Sequence, residues 1–320
     1  MSTQTPLVSI VVVGYRCRDM LAACLRNLRR VQWRDQAEVI VVDNASGDGT
    51  DEMVRRDFPE VKLKAGMVNV GFAAGCNIGI REARGRFVLL LNPDAFPEPD
   101  ALRKAIEYMR DNPECAILGA SLVDTHGREQ PSARDFPTVG SKFRALAGLK
   151  TQNGSSASRR QLSLTNPALA CDWVVGAFFM IRVSTLQRTG LLDENYFMYF
   201  EEIDLCRAVR ELDLKVVCHP DIRVVHAGGA SSSRSSKTVS SSGKQVIEYR
   251  IRSEWFYYRK NHGYLSALLS MSMESLWAAA YLLRAGLRKG GDSAREYEIR
   301  LRGRLCLHTL FSDTPSSVSI

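Results

Sequence analysis

At 320 residues the chain can bury a full core and form one large domain, or one domain with an appendage. With 45% hydrophobic and 24% charged residues it has the composition of a globular protein, which excludes a disordered or fibrous chain. The net charge of +8 favours acidic partners, and its concentration after residue 230, around an apolar stretch, suits a membrane surface better than nucleic acid.

Leu7 to Val13 is an apolar, largely β-branched run stopped by Gly14. Asp19 to Arg30 then repeats apolar residues at helical spacing (Met20, Leu21, Cys24, Leu25, Leu28), which predicts strand, turn and helix. Glu38 to Val42 predicts a second buried strand ending in Asp43-Asn44. Ser46-Gly47-Asp48-Gly49-Thr50 is a turn and N-cap signal for a short helix to Asp57. Val61 to Lys64 reads as a third strand and Ala73 to Arg84 as a helix. Arg86 to Leu91 is a fourth strand ended by Asn92-Pro93-Asp94, and Pro99 to Asn112 another helix. This alternation predicts an α/β fold, a mainly parallel sheet flanked by helices on both faces. Ligands of such sheets bind beyond the carboxyl ends of the strands, where Gly14, Asp43 and Asp94 fall.

From Ala116 the alternation weakens. Gly140 to Asn166 reads as a long surface loop or insertion, Trp173 to Arg182 as an apolar segment, and Val183 to Arg188 as a short helix ended by Gly190. Glu201 to Leu212 predicts a helix, and Lys215 to Cys218 and Arg223 to Val225 two short strands. Ser231 to Gly243, dominated by serine, has no material for a core and reads as a flexible loop. Tyr264 to Leu287 carries only Glu274 and Arg284 as charges, with Ser266, Ser270 and Glu274 on one helical stripe. A central Glu costs a spanning helix about 2 to 3 kcal/mol. A helix lying in the membrane interface, flanked by Arg259-Lys260 and Arg288-Lys289, is therefore preferred, with packing on protein as the alternative.

The eight cysteines include no CxxC pair and read as buried free thiols, which disfavours zinc. Because MSTQTPLVS leads directly into a strand with no signal segment, a reducing cytoplasm is the expected compartment. Two acidic clusters end the apolar segments FVLLLNPDA and NYFMYFEEIDL. Carboxylates delivered by buried elements are costly to desolvate unless paired, so one cluster suits a cation and the other a base, with solvated turns as the plain alternative.

Taken in order, VSIVVVGYR, VIVVDNASGDGT, NVGFAAGCNIGI, FVLLLNPDA, WVVGAFFMIR, LLDENYFMYFEEIDLCRAVR and VVHAGG resemble family 2 glycosyltransferases of the GT-A fold, and most of all their rhamnosyltransferase branch. The resemblance covers roughly residues 7 to 230. It implies a nucleotide-sugar-binding half over 1–120 and an acceptor and catalytic half over 121–230, followed by the serine-rich 231–243 and a helical, membrane-associated 244–320.

Residue by residue, the resemblance places Asp43 against the pyrimidine base, with an Asx turn as its alternative role. Asn69, Gly71 and Asn77 fall in the segment that approaches the nucleotide, or in a plain strand-to-helix turn. Asn92 and Asp94 stand at the Asp-x-Asp motif, so Asp94 would offer the full carboxylate to Mg²⁺ or Mn²⁺. His226 would complete that metal site or be structural. Trp173, Gly176 and Ala177 match the segment beneath the acceptor, with a core tryptophan as the alternative. Glu202 stands where the family usually has an Asp base, and Glu201 is the reserve.

The activity implied is metal-dependent, inverting transfer of a sugar, L-rhamnose from dTDP-rhamnose or else another sugar from a UDP donor. The acceptor would be a polysaccharide or polyprenyl-linked glycan at the inner membrane face. No nucleic acid is involved, and an oligomer is compatible with the sequence. An oxidoreductase is the rival from another class, but it requires G-x-G-x-x-G after the first strand, where only Gly14 stands. A non-catalytic membrane scaffold is kept open by the Glu at the base position.

Overall fold

The computed structural model describes residues 5–31, 36–149, 160–161, 168–228, 241–286 and 293–311. The loop expected over Ser231 to Gly243 lies outside them except for its last three residues, which are helical.

The chain runs through β1 (Val8–Gly14), α1 (Arg18–Arg30), β2 (Ala37–Asp43), α2 (Thr50–Asp57), β3 (Lys62–Ala65), α3 (Phe72–Arg81), β4 (Phe87–Leu91), β5 (Ala95–Pro97), α4 (Ala101–Asp111) and β6 (Cys115–Val123). Shorter pieces follow: β7 (Glu129–Gln130), β8 (Ala133–Arg134), α5 (Val139–Leu146), β9 (Arg160–Gln161), β10 (Leu169–Cys171), β11 (Trp173–Val174) and β12 (Phe178–Arg182). Then come α6 (Val183–Thr189), α7 (Glu201–Glu211) and β13 (Lys215–His226), and finally α8 (Ser241–His262), α9 (Tyr264–Gly286) and α10 (Ser293–Phe311). The chain divides into two compact units. One comprises Met1–Phe136, Asn153–Glu194 and Glu201–Ala230, the other Pro137–Gln152, Asn195–Phe200 and Ser231–Ile320.

The first unit is built on a sheet ordered β3-β2-β1-β4-β12-β6-β13-β10-β9, with β5 and β7 paired at its side. β1 to β4 are mutually parallel, and β12 enters antiparallel between β4 and β6. Val8 to Gly14 are buried without a break, as strands covered on both faces require. Helix α3 lies close on β1 because glycines face the strand: a Cβ added at Gly75 would come within 2.9 Å of Val13 Cγ1.

Two expectations are corrected here. Instead of two short strands, Lys215 to His226 is one strand, with a register shift between His219 and Arg223. Pro220 falls inside the shift, where its missing N–H cannot join the ladder. The expected loop over Gly140 to Asn166 begins with helix α5, started by a capping box in which Thr138 Oγ1 accepts from Ser141 N at 3.0 Å.

The second unit packs α8, α9 and α10 around Ile251, Met271 and Cys306. Two segments that precede residue 230 belong to it. In one, Tyr196 lies edge-on to Phe256 at 4.9 Å and Phe197 stacks on Tyr249 at 4.2 Å. In the other, Lys142 of α5 joins a buried ion network: its Nζ is 2.7 Å from Glu254 Oε1 and 3.3 Å from Glu274 Oε2, while Arg302 Nη2 is 2.7 Å from Glu274 Oε1. The polar stripe of α9 accordingly faces into the unit. Ser270 and Glu274 are buried while Leu265, Leu276 and Leu283 are exposed. The compensating cations come from α5 and α10, and this is what makes burial of Glu274 tolerable.

Candidate active site

The carboxyl ends of β1 and β2 are stitched together by side chains of the loops that follow them. Asp43 is buried and its Oδ1 accepts from Ser46 N at 3.1 Å, closing the loop three residues on, while Ser46 Oγ accepts from Arg16 N at 3.0 Å. Arg16 and Ala45 both have left-handed φ, 50° and 63°, a strain that residues other than glycine hold chiefly where a site requires it. Asn44, which the motif reading passed over, ties this end to the next loop. Its Nδ2 donates to Asn69 Oδ1 at 2.9 Å and Gly71 O at 3.0 Å, and its Oδ1 accepts from Val70 N at 3.0 Å. Gly71, with φ 87°, precedes α3. Asn77 is held differently: its Nδ2 donates to Leu192 O at 2.8 Å and Glu194 Oε1 at 2.9 Å, and its Oδ1 accepts from Leu192 N at 3.1 Å. Its amide therefore anchors the chain ahead of α7.

Asp94 follows β4, and three strands converge on it. His226, the last residue of β13, brings Nε2 to 3.5 Å from Asp94 Oδ1, and Ala227 N donates to Asp94 O at 2.9 Å. Gln130 of β7 holds the histidine from behind. Its Nε2 donates to His226 O at 2.9 Å, which turns its Oε1 toward His226 Nδ1, also at 2.9 Å. An acceptor at that place calls for a proton on Nδ1, so in the neutral ring the Nε2 lone pair faces a carboxylate. Two facing lone pairs favour a cation, a proton or a doubly donating water between them. Nitrogen and carboxylate ligands suit Mn²⁺ or Mg²⁺, so the residues fit such an ion. Among the described residues no group of three or more His, Cys, Asp or Glu could hold a metal, so this pair would leave most positions to a ligand and water.

Cys17 lies between the loops that carry Asp43 and Asp94. The Cys17 thiol, pushed up to about 11, owes that first to burial and then to the charges of Asp48, Asp94 and Asp43, partly offset by a hydrogen bond from Tyr15. All three carboxylates therefore act on this one thiol.

The Asn92 turn also reaches the second acidic cluster, since Asn92 N donates to Ala177 O at 3.1 Å and a Cβ at the neighbouring Gly176 would lie 3.9 Å from Glu202 Cγ. Ala177 is fully enclosed and serves this turn through its carbonyl. Trp173 is half-buried. Its Nε1 donates to Asp135 O at 2.8 Å and its ring lies 5.7 Å from the Arg134 guanidinium. At the head of α7 the two glutamates differ. Glu201 is buried, and its Oε2 has no hydrogen-bond partner. Burial, and next the charge of Glu202, pushes its carboxyl well above the ordinary range. Glu202 is half-buried. Tyr199 and Phe200, just ahead of them, both have φ of 71°, so the helix begins from a strained turn.

The model of the family described as "Glycosyl transferase family 2" matches residues 9–187. The chain belongs to glycosyl transferase family 2. It is similar to the N-acetylglucosaminyl-diphospho-decaprenol L-rhamnosyltransferase of Mycobacterium tuberculosis, 27% identical over 72% of this chain and 79% of that protein. It is also similar to rhamnosyltransferase WbbL of Escherichia coli, 24% identical over 69% and 83%. Among solved structures, the mannosyltransferase PcManGT of Pyrobaculum calidifontis, in complex with GDP-Man and Mn²⁺, superposes with a TM-score of 0.57 at 19% identity, covering 98% of this chain and 89% of that one. The family 2 protein is thus a glycosyltransferase of the GT-A fold, and the oxidoreductase and scaffold alternatives fall away.

Proposed function

We propose that this glycosyltransferase moves L-rhamnose from dTDP-rhamnose, with inversion, to a polyprenyl-linked glycan acceptor at the cytoplasmic face of a membrane. The donor and acceptor rest on the two rhamnosyltransferase relatives, one of which is named for a decaprenol-linked substrate. The observation that carries the chemistry is the pair Asp94 and His226, 3.5 Å apart, with the histidine lone pair held toward the carboxylate by Gln130.

Asp43 and the loop stitched by Asn44 would receive the nucleotide base and ribose, and Asp94 and His226 would hold Mg²⁺ or Mn²⁺. When bound, the ion supplies Lewis-acid stabilisation of negative charge on the diphosphate. Glu202 would accept the proton of the acceptor hydroxyl as that oxygen attacks the anomeric carbon. Glu201, whose carboxyl burial and then the charge of Glu202 push upward, would hold its proton more readily, which would relieve the repulsion of two adjacent carboxylates and leave Glu202 as the ionised base. Trp173 and Gly176 would border the acceptor, the indole offering a flat face to a sugar ring.

A panel of nucleotide diphosphate sugars, each with Mg²⁺ or Mn²⁺, tests this reading by donor turnover and thermal shift. Turnover of dTDP-rhamnose above the others is expected. Preferential turnover of a UDP-sugar would replace the donor, and no turnover of any would sink the proposal.

A further inference from the structure

Helix α9 carries its leucines on the outside of the helical unit. Leu265, Leu269, Leu276 and Leu283 are 69%, 46%, 71% and 71% exposed, whereas Ser270 and Glu274 are buried. With Ser272 and Ala279 in the intervening places, their steps of four and three residues keep all six on one side of the helix. An apolar stripe this long on a surface, interrupted only by Ser272, marks an interaction face. Residues 231–240, 287–292 and 312–320 contain only Val239, Leu287, Val318 and Ile320 as large apolar residues.

The charge around the stripe discriminates between occupants. Among the described residues of this unit, every exposed Lys, Arg, Asp or Glu is a Lys or Arg, including Arg250, Arg259, Lys260 and Arg284. Three of its glutamates are engaged: Glu254 and Glu274 pair with Lys142, and Glu248 pairs with Arg252. A second copy of the chain would set cation against cation, which opposes association. An anionic bilayer answers both features, taking leucines into its interfacial region and arginines at its headgroups. No described helix is long and apolar enough to cross a membrane, so the contact is one of lying on the surface.

We infer that the outer face of α9 docks on an anionic lipid bilayer. The inference rests on the proposed action at a membrane surface, and it names the face and the lipid chemistry. The test uses the full chain and sedimentation with vesicles of phosphatidylcholine alone or mixed with phosphatidylglycerol. Wild-type protein is expected to partition onto the mixed vesicles, and to be partly released by salt. The double variant Leu276→Gln, Leu283→Gln removes two exposed side chains, so its melting temperature is expected to hold while partition falls by roughly tenfold per leucine. Absence of binding to mixed vesicles, or equal binding by the variant, overturns the inference. So does a lipid-free dimer, seen by light scattering, that the variant dissolves, since the occupant is then a second copy. Turnover of soluble donor is read in parallel on both proteins. Lost docking with donor turnover intact defeats this inference alone, and docking without any turnover defeats the transferase reading alone.

Discussion

Glu201 and Glu202 are neighbours in sequence, the first buried and the second half-buried, and their variants separate the two roles. Because Glu201 keeps its proton above the ordinary value of 4.5, the folded chain binds more protons than the unfolded one in the range between that value and its raised one. Stability contributed by this group is therefore full below 4.5 and declines as pH rises. Glu201→Gln mimics the protonated form. Above about pH 5 it is expected to melt higher than wild type by a margin that widens with pH, and to keep most turnover. A margin that does not change with pH would overturn the protonated assignment. Glu202→Gln is expected to lose about 10² to 10⁴ in transfer rate at nearly constant donor affinity, and Glu202→Asp to be much milder. Activity surviving in Glu202→Gln would assign the base elsewhere. Gln130→Leu removes the acceptor that orients His226. Calorimetric titration of Mn²⁺ in the presence of nucleoside diphosphate is expected to show about 10 to 100-fold weaker binding. Unchanged affinity would make Gln130 a purely structural partner.

Among the elements, the glycines of α3 and the charges of α9 decide how closely each packs. Gly75→Ala puts a Cβ 2.9 Å from Val13 Cγ1, so urea unfolding is expected to show a loss of about 1 to 3 kcal/mol, partly recovered when Val13→Ala makes room. No loss would mean that α3 can move off the strand freely. Glu274→Leu leaves Lys142 and Arg302 without a carboxylate they both contact, and a cost of about 3 to 5 kcal/mol is expected in the same assay. A neutral substitution would show the network to be solvent-screened. Elements dominated by periodic apolar runs, such as β1, β2 and α1, read directly from the chain. Strand β13 did not, because Pro220 looks like a stop until the neighbouring β6 is seen to continue the ladder past it. Helix α5 hid in a polar stretch, its capping box at Thr138 being the one available signal.

For the whole molecule, two units with separate cores imply two cooperative transitions. Ligands that bind one folded unit raise its apparent stability by mass action, about 2.7 kcal/mol at a hundredfold excess over Kd. Scanning calorimetry is expected to show nucleoside diphosphate with Mn²⁺ moving only the transition of the sheet unit, and anionic vesicles only that of the helical unit. A single transition moved as a whole by either ligand would show that the units unfold together.

Hydrophobic periodicity and the ordered motifs were enough to reveal the alternating α/β framework, the family, and the strand ends where Asp43 and Asp94 stand. These are local properties, since a buried parallel strand or a turn after it depends on a few adjacent residues. The differences within the site are not local. Gln130 and His226 are 96 positions apart, and Asn44 meets Asn69 across 25. Glu201 and Glu202 look alike in sequence because burial comes from elements that enclose one and leave the other half open. The same holds for α9, where spacing defines a polar stripe and a leucine stripe but not which of them faces in. Lys142 and Arg302, supplied by distant helices, turn Glu274 inward, and the leucines are left outside as a consequence.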